Sequence, residues 1–385
     1  MGGFPYHFTA RMWSLSSSVR HIPVLFLLHP LLLLLSSHVA EARTLETEQI
    51  RPLNRSSSSV SAVFVFGDST VDPGNNNYIE TVAKSNFPPY GKDFPNQVPT
   101  GRFTNGRLVT DFLASYAGIK DFIPPYLDPT LSLEDLKTGV SFASASTGFD
   151  PLTAQLFGVI SMEKQLKYFK EYKSRMEVYI GKERTKTLIS KAVFLISCGT
   201  NDFIVNYYAT PIRRQTYTVS TYQHLLLQLG QQFLQGLLEM GARKIAFVGL
   251  PPMGCVPAVI TMNSDHALTH RGCIESLSSV ARDYNRLLRN KLTAMRIPGA
   301  KIIYIEIYKP LEDLIKKPQQ FGFDEVNCGC CGSGTIELSV LCNSLSAVCS
   351  DDSKYVFWDS VHPTEAAYHN IFLGLRPIVD LFLKA

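Results

Sequence analysis

The sequence predicts an α/β fold, a three-layer α/β/α sandwich with a parallel, flavodoxin-like sheet. Short apolar runs of strand length recur along the chain, and amphipathic helical patterns separate them, as a parallel sheet requires. The leading run is apolar at successive positions, as strands covered on both faces are. No internal repeat and no linker interrupts the chain after about residue 60, so a single domain over 61–385 is the economical architecture.

Taken in order, the strand candidates are 62–66, 139–143, 192–197, 244–248 and 301–307. A helix after Asn105 places Leu108, Phe112 and Leu113 on one face. Leu225, Leu229, Phe233, Leu237 and Met240 recur at helical spacing, as do Val280, Tyr284, Leu287 and Leu288. Thr364 is placed to cap a last helix carrying Tyr368, Phe372 and Leu375. These stripes read as core, not as cofactor boxes. The Pro- and Gly-rich stretch 87–104 reads as an ordered loop near the cleft. The run 101–107 that overlaps its end is best read as a helix start, with substrate contact as the alternative.

The stretch Val63-Phe64-Val65-Phe66-Gly67-Asp68-Ser69-Thr70-Val71-Asp72 reads as a buried parallel strand ending in a tight turn. That turn puts Ser69 at the carboxyl edge, where open α/β sheets bind their ligands. Near the other terminus stands Trp358-Asp359-Ser360-Val361-His362-Pro363. A serine hydroxyl is a weak nucleophile until an imidazole accepts its proton, and a carboxylate must hold that imidazole in the right tautomer. Two residues between Asp359 and His362 let one short loop supply both groups, and Pro363 stiffens its exit. Alone, Asp-x-x-His reads as a surface turn; paired with Gly67-Asp68-Ser69 it reads as a Ser-His-Asp hydrolase.

Four blocks carry a resemblance across the chain after about residue 60. They are Phe66-Gly67-Asp68-Ser69 with Asp72-Pro73-Gly74-Asn75-Asn76, the stretch 139–148, Gly199-Thr200-Asn201-Asp202, and Trp358 through Glu365. Together they resemble the plant-type GDSL esterase/lipase family of the SGNH hydrolase superfamily. The resemblance implies an oxyanion hole made by the Ser69 and Gly148 backbone N–H groups and the Asn201 side-chain amide. Many relatives have glycine where Ser146 stands, so either Ser146 or Gly148 is the donor from that block; Gly148 is preferred because glycine permits close approach. A bare turn after a strand is the plain reading of Asn201. Asp68, Asp72 and Asp202 read as turn and loop braces. The resemblance also implies a Cys255–Cys273 disulfide and two bridges joining Cys330 and Cys331 to Cys342 and Cys349, with connectivity open. Cys198 is left as a buried free thiol and Cys328 as unpaired. A zinc site lacks separated ligand pairs and a nearby histidine.

A rival nucleophile elbow, Gly139-Val140-Ser141-Phe142-Ala143, nearly matches Gly-x-Ser-x-Gly, but alanine takes the final glycine and Ser141 falls inside an apolar run. A net charge of +4, lowered by one without residues 1–42, is too mild for nucleic-acid binding, and no basic stripe interleaved with aromatics is present. Arg11 and Arg20 precede an interrupted apolar stretch ending at Ala40-Glu41-Ala42, the pattern of a cleaved signal peptide over 1–42, with Met12 an alternative start. Residues 43–60 are polar and serine-rich, read as a flexible mature N-terminus, and hold the sequon Asn54-Arg55-Ser56. All eight cysteines follow the leader, consistent with an oxidising, extracellular destination such as the cell wall.

The expectation is a secreted carboxylic-ester hydrolase acting through an acyl-enzyme on Ser69, with His362 as base and acid and Asp359 orienting it. No cofactor, no metal, no nucleic-acid partner and no integral membrane span is implied. The alternatives are an acyltransferase on the same triad, a metal-dependent phosphoesterase using Asp68, Ser69, Asp359 and His362, and a catalytically silent secreted glycoprotein. The acyl donor and the oligomeric state are not encoded in any spacing.

Overall fold

A parallel sheet organises the molecule. In the computed structural model, which describes residues 60–265 and 271–383, β1 (Val63–Gly67), β2 (Val193–Ser197), β3 (Lys244–Val248) and β4 (Lys301–Ile305) pair in that order, all parallel. The segments expected at 1–42 and 43–60, with Met12 and Asn54, lie outside the described residues except for Val60. All described residues fall within one compact unit, Pro52–Ala385. Among them, no helix is long and apolar enough to cross a membrane.

The fifth expected strand, 139–143, lies beside β1 without forming a regular ladder. Val65 N–H donates to Val140 O at 3.1 Å and Phe142 N–H to Val65 O at 2.8 Å, but only Val65 and Ser141 form a bridge. Ser141 N–H turns to Pro124 O at 3.0 Å on the other side, where Pro124 and Pro125 have no N–H to extend a ladder. Counted second in chain order, the segment gives the strand order 2-1-3-4-5 of flavodoxin-like sheets.

The helices flanking the sheet include α1 (Val109–Tyr116), α2 (Met162–Ile180), α3 (Val219–Glu239), α4 (Glu275–Ala294) and α5 (Glu365–Leu383). Strand side chains alternate between faces. Phe64, Phe66, Phe194 and Ile196 point to one face and pack on Phe169 and Tyr172 of α2, Phe233 of α3 and Leu288 of α4. Leu195, Ala246 and Ile303 point to the other, beneath Leu113 of α1 and Phe372 of α5. The buried line of α3 runs through Tyr222, Leu226, Phe233 and Leu237, so the expected Leu225, Leu229 and Met240 flank it instead. That helix is apolar over a wide arc, and the larger Tyr222 draws the face toward itself. Val280 and Leu287 likewise flank Tyr284 and Leu288 on α4.

Three disulfides form: Cys255–Cys273, Cys330–Cys349 and Cys331–Cys342. Cys198 and Cys328 are free, as expected. The two later bridges close loops within 330–349, between β5 (Glu325–Gly329) and β6 (Tyr355–Phe357), a small parallel pair that leads into the Asp359 loop; the Cys330 N–H donates to Phe357 O at 3.0 Å.

Candidate active site

Ser69 is held by the way β1 ends. Gly67 has φ 139°, and a Cβ there would lie 1.8 Å from Ser197 O, so only glycine fits this close approach to β2. Asp68 N–H donates to Ser197 O at 3.1 Å, and its carboxylate accepts from the Thr70 N–H and hydroxyl at 3.0 and 2.8 Å. The turn thereby lifts Ser69 over the carboxyl edge of the sheet.

There Ser69 meets the C-terminal loop. His362 Nε2 lies 2.8 Å from Ser69 Oγ, across 293 residues of chain, and its Nδ1 lies 2.8 and 3.0 Å from the two Asp359 oxygens. The Asp-x-x-His spacing works because Asp359 Oδ1 also accepts the Val361 and His362 N–H groups, at 2.8 and 2.7 Å, curling the loop round its own carboxylate. Trp358 N–H donates to His362 O, and Cys331 N–H to Trp358 O, tying the loop to the disulfide segment. Asp359 and His362 are both buried.

Two neighbours of this triad escaped the sequence reading. Tyr90 Oη donates to Asp359 Oδ2 at 2.8 Å and accepts the Ser339 N–H at 2.9 Å. Burial, then the charge of Asp359, push the Tyr90 phenol well above its usual range, so it remains a neutral donor. Phe103 places its ring 4.9 Å from the His362 imidazole. Both belong to the loop 87–104, which was read as lying near the cleft; only that placement pointed to them. The run 101–107 starts α1 through the buried Arg102–Asp111 pair, with Asp111 accepting the Leu108 N–H.

On the other side of Ser69, Asn201 stands at the head of a π-helix, Asp202–Ala209, just past the carboxyl end of β2. One of its amide N–H groups donates to Thr147 O at 2.9 Å, leaving the second available. Among the described residues the backbone N–H groups of Ser69, Ser146 and Gly148 have no protein acceptor. Ser146 is half-buried with φ 68°, the left-handed conformation that favours glycine. Gly148 is buried, and a Cβ on it would sit 2.1 Å from Asp202 Oδ1.

The other acids serve as braces. Asp202 accepts the Phe149 and Asp150 N–H groups at 2.7 and 3.1 Å, and burial pushes its carboxyl up to about 7. Asp72 accepts from Gly74, Asn75 and Ala145 N–H and is pushed up to about 6, again by burial. Asp68 is raised by burial, opposed by its bonds from Thr70. Ser141 of the rival elbow is buried, its hydroxyl spent on Val71 O at 3.0 Å. The phosphoesterase set does not converge: Asp359 lies behind the imidazole from Ser69, and Asp68 is turned to Thr70. Among the described residues no group of three or more His, Cys, Asp or Glu side chains could hold a metal ion.

Ser69, Asn201 and His362 open into a cavity of about 110 Å³ whose remaining wall is mostly apolar, with Val71, Leu195, Val248, Val361 and Ile371 among its lining. A serine hydroxyl, an imidazole and both backbone and side-chain N–H donors thus converge on a mostly apolar cleft. Residues 63–375 match the family described as GDSL-like Lipase/Acylhydrolase. The chain is 55% identical over 329 residues to the protein named GDSL esterase/lipase At5g45960 of Arabidopsis thaliana, covering 84% of this chain and 88% of that one. It is 43% identical over 351 residues to GDSL esterase/lipase At1g06990 of the same plant, covering 91% and 97%. A third relative, GDSL esterase/lipase At2g40250, is 46% identical over 317 residues, covering 81% and 88%.

Proposed function

The chain belongs to the GDSL-like lipase/acylhydrolase family, and from that membership we propose that it is a secreted carboxylic-ester hydrolase working through an acyl-enzyme on Ser69. The observation that carries the reading is the 2.8 Å contact between His362 Nε2 and Ser69 Oγ. As Ser69 Oγ attacks the ester carbonyl, His362 Nε2 takes its proton, and Asp359 stabilises the imidazolium through Nδ1. The tetrahedral oxyanion is met by the Ser69 and Gly148 N–H groups and the free Asn201 amide N–H. Collapse breaks the carbon–alkoxide bond, with the proton passing from His362 to the departing alcohol. Water, activated by the same imidazole, then releases the acid. The three disulfides support an extracellular destination, in keeping with the leader pattern at 1–42.

Ser69→Ala should lower kcat on a short-chain nitrophenyl ester by roughly 10⁴-fold or more with unfolding unchanged; undiminished turnover would falsify the assignment. Asn201→Ala should lower kcat by about 10²–10³-fold, read in the same assay. A structure of the phosphonate adduct should place the phosphoryl oxygen against Gly148 N–H; contact with Ser146 N–H instead would move the donor two residues upstream.

A further inference from the structure

The cavity beside Ser69 has a neighbour deeper in the fold. Its wall includes Val109, Leu195, Ile305 and Leu375, and the same four side chains line a second cavity, of about 40 Å³, deeper along the sheet. That inner cavity lies between the face of the sheet and α5, and every residue lining it is apolar. The register explains the groove. Leu195, Ala246 and Ile303 stand side by side on adjacent strands, with Val248 and Ile305 one rung nearer the carboxyl edge. Ala246, the smallest of these, stands between the two branched side chains in the cavity floor, and Val379 of α5 lines the same cavity. From the level of Ser197 down to Val193 the furrow extends roughly 13 Å at the rise of a parallel strand. A wall without polar atoms gives water no hydrogen-bonding partner, so an apolar occupant is favoured over solvent.

We propose that this furrow takes the acyl chain of the substrate, and that the esters cleaved carry an unbranched aliphatic acyl group of medium length. The proposal rests on the acyl-enzyme reading above. With the acyl carbon bonded to Ser69 Oγ and the alcohol expelled, the chain runs from the carboxyl edge down the sheet beneath α5.

The test is a series of nitrophenyl esters from acetyl through octanoyl to hexadecanoyl, run on the native chain, Ala246→Leu and Val379→Phe. In the native chain kcat/KM should rise by roughly three- to fourfold per methylene while the chain is being buried, then level off. Each variant should lower the octanoyl-to-acetyl ratio of kcat/KM by about tenfold or more. Proportional losses at every chain length, or a native preference for acetyl, overturn the proposal. Octanoate binding to Ser69→Ala protein, followed by calorimetry, separates this idea from the hydrolase reading. Saturable binding weakened by Ala246→Leu supports the furrow even without turnover, and no binding overturns it even where short esters are cleaved.

Discussion

Asp359 accepts hydrogen bonds from the Val361 and His362 backbones, from the His362 ring and from Tyr90, so its orientation is set from every side. Among the described residues Tyr90 is the one contributor from outside the loop. A hydrogen bond to a charged group is worth roughly 1.5–3 kcal/mol, and part of that holds the carboxylate in line with Nδ1. Tyr90→Phe keeps the ring between Trp358 and Phe103 but removes the hydroxyl. It should therefore lower kcat by about tenfold with KM little changed, measured by steady-state kinetics; an equal loss in KM would mark Tyr90 as packing alone. Buried acids also shape the response to pH. Asp202 and Asp72 have carboxyls raised from 3.8 to about 7 and about 6, so the folded chain holds protons that the unfolded chain releases. Their contribution to stability is complete below about 4 and is lost as pH rises through about 6 and then about 7. Calorimetry should show Tm falling over that window, with the upper part of the fall reduced in Asp202→Asn.

The elements were legible wherever one segment's own chemistry decides its conformation. Four strands appear within a residue or two of their apolar runs, and Thr364 Oγ1 accepts the Ala367 N–H at 3.1 Å at the head of α5. The segment 139–143 was expected as a regular strand, but its ladder with β1 fails where the Gly67 N–H turns to Gln165 Oε1 at 2.9 Å and Gly139 takes φ 94°, features that a run of apolar residues does not report. The rotated face of α3 has a similar cause, since a helix apolar over a wide arc leaves the choice of buried line to its neighbours. At the join of β1 and the Ser69 turn, Gly67→Ala forces a Cβ into Ser197 O and a side chain onto φ 139°. It should destabilise the fold by roughly 2–3 kcal/mol and abolish turnover by displacing Ser69, read from thermal unfolding and ester hydrolysis on the same sample.

Across the whole molecule, the triad was readable as residues but Tyr90 and Phe103 were not. Motif spacing reports a loop's internal geometry, whereas Tyr90 meets Asp359 only because the chain's two ends fold together. That meeting is enforced by α1 against α5, through Phe112 on Phe372 and Arg107 with Glu365 at 2.8 Å. Stapling adds to it. Cys331–Cys342 encloses Ser339, whose N–H donates to Tyr90 and whose hydroxyl lies 2.8 and 2.7 Å from the Val82 and Lys84 carbonyl oxygens, able to donate its single proton to either. Replacing both cysteines of that bridge by serine should lower stability by about 2–3 kcal/mol and reduce kcat beyond what the shift in folded fraction explains, checked by denaturant titration alongside kinetics.

Because Ser69 lies near the start of the described residues and His362 lies 293 residues further on, synthesis order sets when the two can meet. A polypeptide still emerging carries the serine without the imidazole that the folded chain sets beside it. On the proposed mechanism, a product truncated before His362 keeps the serine but loses both the base and the helix that follows it, and should hydrolyse esters at only a residual rate.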